Sequence, residues 1–105
     1  MPVSESYKEY ILEVLSDLRP VRSKRMFGGL GIWTLDSDLF FALISEDTLY
    51  FKVDEQTRAD YTERGMAQFM TMNYYEVPGD VLEDGEELQI WVEKAVNVAA
   101  RKGKR

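Results

Sequence analysis

The 105-residue sequence contains no cysteine and no histidine. Without cysteine there is no disulfide, no thiolate nucleophile and no thiolate metal site. Without histidine, the commonest general base near neutral pH and the commonest metal ligand are missing. Ser-His and Cys-His catalysis and zinc chemistry are therefore excluded within the chain. Long hydrophobic runs are lacking too. The longest mostly apolar run, Leu39 to Ile44, falls far short of the roughly 20 residues a membrane-spanning helix needs. The polar start holds no secretory apolar region, so a cytoplasmic location and no membrane partner are expected. Basic residues are outnumbered, 13 against 19 acidic, for a net charge of −6. Such a chain repels polyanions at long range, which argues against generic nucleic-acid binding.

What is present fits one domain over residues 1–105. Hydrophobic residues make up 45% and charged residues 30%, the balance of a globular domain with one modest core. Tyr7, Tyr10, Ile11, Val14, Leu15 and Leu18 recur at steps of three and four and form one face of a first helix. Ser4 or Ser6 can cap it, Ser6 with Glu9 matching a capping box, and Pro20 stops it near Arg19. Phe40–Ile44 and Leu49–Val53 read as short strands joined by a tight turn, hence antiparallel. Asp54 then offers a cap for a short polar helix closed by Gly65. Gln68–Met72 and Tyr74–Val77 read as two further strands. A last helix is capped by Asp84, with Glu87 reaching back, and carries Leu88, Trp91, Val92, Ala95, Val96 and Ala99 on one side. The expected order is helix, three strands, helix, two strands, helix. This is an α+β domain with helices covering a mostly antiparallel five-stranded sheet in two layers.

The stretch RMFGGLGIW, Arg25 to Trp33, raises the question of phosphate binding. It has no Gly-Lys-Ser/Thr and no following helix N-terminus, so neither a P-loop nor a dinucleotide turn fits. Gly28, Gly29 and Gly31 are instead expected to shape the sheet, through a bend, a positive φ, or room for a large side chain such as Trp33 or Trp91. Met26 and Phe27 read as core residues. No cofactor is expected.

Carboxylates are plentiful, including Asp54, Glu55, Asp60, Glu63, Glu76, Asp80, Glu83 and Asp84. They fall at caps, turns and polar faces, where solvation explains them. Glu76 lies in an aromatic strand, where it either points to solvent by alternation or pairs with Lys52 across the sheet. Asp80, Glu83 and Asp84 lack the spacing of a calcium loop. The chain is therefore expected not to be an enzyme and to hold no metal. The candidate interaction patch is basic: Arg19, Arg22, Lys24 and Arg25 near the glycines, and Arg101 and Lys102 in a basic C-terminal tail of about 101–105. These cations are either a solvated edge that discourages strand pairing or contacts for acidic protein or nucleic acid.

MFGGLGIW, FFALISEDTLYFKVD and MNYYEVPGDVLEDGEELQIWVEKAVNVA, in that order and spacing, resemble the N-terminal domain of the TfoX/Sxy family over roughly residues 6 to 100. The resemblance implies a secretion-chaperone-like fold with an α-β3-α-β2-α order. It also implies a role like that of the family's founders, which regulate natural competence at the level of transcription together with a global regulator. Those founders carry a second, helix-hairpin-helix-like domain, which this chain is expected to lack. The expected function is thus a non-catalytic regulatory module that works through a protein partner, such as a transcription regulator. Direct DNA binding through the basic clusters is the alternative and a small enzyme a remoter one. A homodimer is expected if a bare sheet face carries large apolar residues.

Overall fold

The computed structural model describes residues 4–26 and 28–103, apart from the side chain of Lys102. Phe27, expected in the core, and Lys104 and Arg105 of the basic end lie outside the described residues. Helix α1 spans Glu5–Leu18 and leads into strands β1 (Val21–Met26), β2 (Gly29–Thr34), β3 (Phe40–Ser45) and β4 (Thr48–Lys52). Helix α2 (Arg58–Thr62), strand β5 (Tyr74–Glu76), helix α3 (Gly79–Leu82) and helix α4 (Gly85–Gly103) complete it. The strands form one five-stranded sheet in sequence order, antiparallel throughout.

The number of strands is the expected five, but four precede the second helix and one follows it. Two local causes account for this. The glycine stretch folds as a hairpin, with register from Val21↔Thr34 to Met26↔Gly29, and so supplies two strands. The expected strand over Gln68–Met72 reduces to a single bridge, Gln68↔Tyr75. There Met70 takes a φ of 53°, and the Met72 amide turns back to the Phe69 carbonyl at 3.0 Å. A left-handed residue followed by a tight turn cannot continue an extended ladder.

The caps are set by single side chains. Ser4, not Ser6, begins α1: its backbone is extended and its Oγ accepts the Tyr7 amide at 3.3 Å. Its own amide donates to the Asp47 carboxylate at 2.8 Å, which ties the helix start to the β3–β4 turn and places Ser6 inside the helix. Asp54 accepts the amides of Gln56 and Thr57, each at 3.0 Å. It therefore organises the turn ahead of α2, which begins only at Arg58. Asp84 accepts the amides of Glu86 and Glu87 at the start of α4, at 3.1 and 3.3 Å. Glu87 does not close a box; it accepts the indole N–H of Trp91 one turn on, at 3.3 Å.

Side chains alternate across a sheet, and the register sorts them. One face carries Leu30, Ile44 and Leu49 in one row and Ile32, Ala42, Phe51 and Tyr75 in the next. These belong to the same buried cluster as Ile11 and Leu15 of α1 and Leu88, Val92, Ala95, Val96 and Ala99 of α4. Each fully buried aliphatic or aromatic side chain there contributes roughly 1.5–3 kcal/mol. Tyr61 of α2 joins the cluster, its ring 6.0 Å from that of Tyr75 and edge-on to Trp91 at 4.8 Å.

Candidate functional site

The second face of the sheet has a different composition. Its rows are Arg22, Trp33 and Phe40; Lys24, Gly31, Leu43, Tyr50 and Glu76; and Lys52 with Tyr74. Leu43 and Tyr74 are buried, yet neither belongs to the cluster that the helices share. Tyr74 is flanked by the face's own large side chains. Trp33 stacks on Phe40 at 4.6 Å, and Phe40 meets Tyr74 at 5.5 Å. The Arg22 guanidinium lies 4.7 Å from the Trp33 ring. The Lys52 ammonium lies 5.8 and 5.7 Å from the rings of Phe40 and Tyr74. Cations over aromatic faces shield the rings while keeping their charge in water.

The glycines make this layer fit. A Cβ on Gly31 would run into the Met26 sulfur and come within 2.8 Å of the Trp33 ring. The large group that crosses here is Trp33; Trp91 lies on the helical side against Tyr61. A Cβ on Gly29 would collide with the Ile44 carbonyl oxygen of the neighbouring strand. Gly28, in the connection between β1 and β2, has a φ of 72°, a conformation that costs other residues about 1 kcal/mol or more.

At the β3–β4 end of this face lies an open groove of about 590 Å³, lined by Ser45, Glu46, Tyr50, Phe69, Met70 and Met72. Phe69 packs on Tyr50 at 5.0 Å. The Gln68 side-chain amide holds the loop by donating to the Met72 carbonyl at 2.9 Å. Met70 stands out from the loop with 75% of its surface exposed, the most of any exposed large hydrophobic residue described. Burial, then the charges of Glu76 and Glu46, push the Tyr50 hydroxyl upward, so it stays a neutral donor. Burial alone pushes Tyr74 up, and its hydroxyl has no hydrogen-bond partner among the described residues. This groove was not anticipated from the sequence. Its signal was the methionine-rich run MAQFMTM, because flexible thioethers are favoured at adaptable binding surfaces.

The basic residues singled out from sequence do not form one patch. Arg19 pairs with Asp36 and Glu93, at 3.5 and 3.4 Å, and bridges the β2–β3 turn to α4. Arg22 pairs with Asp38. Arg101 pairs with Asp54, which follows β4, three strand spacings or about 14 Å from β1. Lys24 and Arg25 are exposed, and their side chains have no ion pair or hydrogen bond with any described residue. Helix α4 runs through Gly103, so Arg101 and the backbone of Lys102 are helical; the Lys102 side chain is outside the description. Burial raises the Asp54 carboxyl, but the Arg101 hydrogen bond, the Thr57 amide and the Arg101 charge outweigh it, leaving it below the usual range. Glu76 stands opposite Tyr50, and Lys52 opposite Tyr74. Among the described residues, no three Asp or Glu come together as a metal site. No described helix is long and apolar enough to cross a membrane.

Helices on one face and an aromatic, cationic and methionine-rich layer on the other define an α+β domain with one helix-free sheet surface. The chain belongs to the TfoX N-terminal domain family, whose model matches residues 13–99. No curated protein matches it. The family is that of a competence-related regulatory domain.

Proposed function

We propose that the chain is a non-catalytic regulatory domain that acts in the transcriptional control of DNA-uptake competence by binding a protein partner, a transcription regulator, on the helix-free face of the sheet. The observation that carries this reading is the groove beside Tyr50, with Met70 projecting from a left-handed turn at 75% exposure. An exposed methionine held in a strained backbone is costly for folding alone and suits a side chain that inserts into a partner. Aromatic residues ringed by cations are also the composition of protein-binding surfaces.

Three of the basic side chains are already neutralised by Asp36, Asp38, Asp54 and Glu93, which favours protein over DNA as the partner. Direct DNA binding requires affinity that falls steeply with salt. A second copy is the other competing occupant, and light scattering separates it.

The test compares two exposed apolar residues on opposite sides of the molecule. Met70→Asp alters the groove; Ile90→Asp alters the outer side of α4, where Ile90 is 50% exposed. The expected result is that Met70→Asp loses both the co-purifying regulator and the transcript changes that the wild-type chain produces in cells, while Ile90→Asp keeps both. Equal behaviour of the two variants contradicts the reading.

A further inference from the structure

The two edges of the sheet are finished differently. Beyond β5, the segment 67–69 closes the ladder: the Phe69 amide donates to Tyr74 at 2.8 Å and the Glu76 amide to Ala67 at 2.9 Å. Beyond β1, a strand of six residues, no described residue pairs. The phase of its hydrogen bonds follows from one contact. The Leu35 amide donates to the Pro20 carbonyl at 3.1 Å, in the same register as Val21↔Thr34. Hydrogen-bonded pairs alternate in an antiparallel ladder, so Arg22, Lys24 and Met26 bond to β2. Val21, Ser23 and Arg25 then turn their amides and carbonyls outward, and no described residue satisfies these groups.

We propose that the β1 edge accepts an acidic, extended segment of a partner protein as a sixth strand. This proposal rests on the protein-binding reading above and adds where a partner's backbone attaches and what charge it carries. Outward amides and carbonyls supply the template for strand addition. Charge selects the occupant. A second copy pairing antiparallel about Ser23 sets Arg22 opposite Lys24 twice; pairing about Arg25 sets the two Arg25 side chains opposite each other. Like charges directly across a ladder destabilise it, so β1 is protected against itself. Among the described residues Lys24 and Arg25 have no ion-pair partner, and being adjacent they point to opposite faces. A guest strand with two consecutive carboxylates therefore satisfies both at once.

The test uses two synthetic peptides, Thr-Val-Glu-Glu-Val-Thr and Thr-Val-Lys-Lys-Val-Thr, with 15N-labelled full chain at low salt. The acidic peptide is expected to slow hydrogen exchange at the amides of Val21, Ser23 and Arg25 by about tenfold or more. The amides of Arg22 and Lys24, already bonded to β2, should change little. Ser23→Pro removes one outward donor at a position where an edge strand tolerates proline, and should abolish the protection with little change in the melting midpoint. Lys24→Glu combined with Arg25→Glu should transfer the response to the lysine peptide. Three outcomes overturn the proposal: equal response to both peptides, protection that survives Ser23→Pro, or protection that appears with rising protein concentration and no peptide. If the peptides fail while Met70→Asp still loses its partner, the edge proposal falls and the groove stands; if both fail, the protein-binding reading falls with it.

Discussion

The two faces of the sheet are built from the same strands and alternate along them residue by residue, yet they do different work. Phe51 and Tyr50 are neighbours in β4. Phe51 is fully buried against Phe41 and the helices, whereas Tyr50 lines a groove that no helix covers. The helical face is almost wholly aliphatic and aromatic, and its partners are built into the chain. The other face leaves cations over rings and methionines at a rim. The buried cluster shared with the helices thus lies on one side, and partly exposed aromatic, cationic and methionine side chains lie on the other.

The largest expected effect tests that asymmetry within two residues. Phe51→Ala should lose about 3–5 kcal/mol in urea denaturation, and Tyr50→Ala no more than about 1.5 kcal/mol, since its side chain stays partly solvated. Equal losses would remove the distinction between the faces. Next, Gly29→Ala should cost about 1–3 kcal/mol, because the new Cβ meets the Ile44 carbonyl and backbone must shift. Gly28→Ala, with open space around it, should cost only about 1 kcal/mol of backbone strain. Calorimetry on the pair separates a clash from a conformational cost.

Smaller effects sharpen the comparison. Tyr74→Phe on the helix-free face should leave stability unchanged or raise it by up to about 1 kcal/mol, because it removes a buried hydroxyl without a partner. Asp54 gives the pH signature of the helical side. Its folded carboxyl titrates below its unfolded value, so its stabilisation is complete above pH of about 4 and is lost as the pH falls through the lower folded value. Asp54→Asn should flatten that acid limb while leaving the neutral-pH groove unchanged; urea midpoints between roughly pH 2 and 5 report it.

Much of the helical side was legible in the sequence, because a 3.6-residue period survives any error of a few residues. The stripes Ile11–Leu15–Leu18 and Leu88–Val92–Ala95–Ala99 needed only counting. The caps at Asp54 and Asp84 were legible for the same local reason, though Asp54 acts one turn early. Of the two caps legible in the sequence, Ser4 and Ser6, it is Ser4 that begins the helix, its amide held by Asp47, a contact 43 residues away. The β1–β2 hairpin was hidden because Arg22, Ser23 and Lys24 carry no apolar alternation; an edge strand with one face to cations does not look like a strand. The groove was hidden because Gln68–Met72 has strand-like composition while Met70 sits in a left-handed turn. The basic residues were visible as a list, but whether they meet depended on which carboxylates reached them, and only the fold decides that.

The most direct test of the account is site-specific photo-crosslinking in living cells, with a benzophenone amino acid placed at position 70 or at position 90. A discrete adduct with one regulator is expected from position 70 and none from position 90. An adduct from position 90 alone, or from neither position while the chain still alters transcription, would contradict the claim that the helix-free face is the working side.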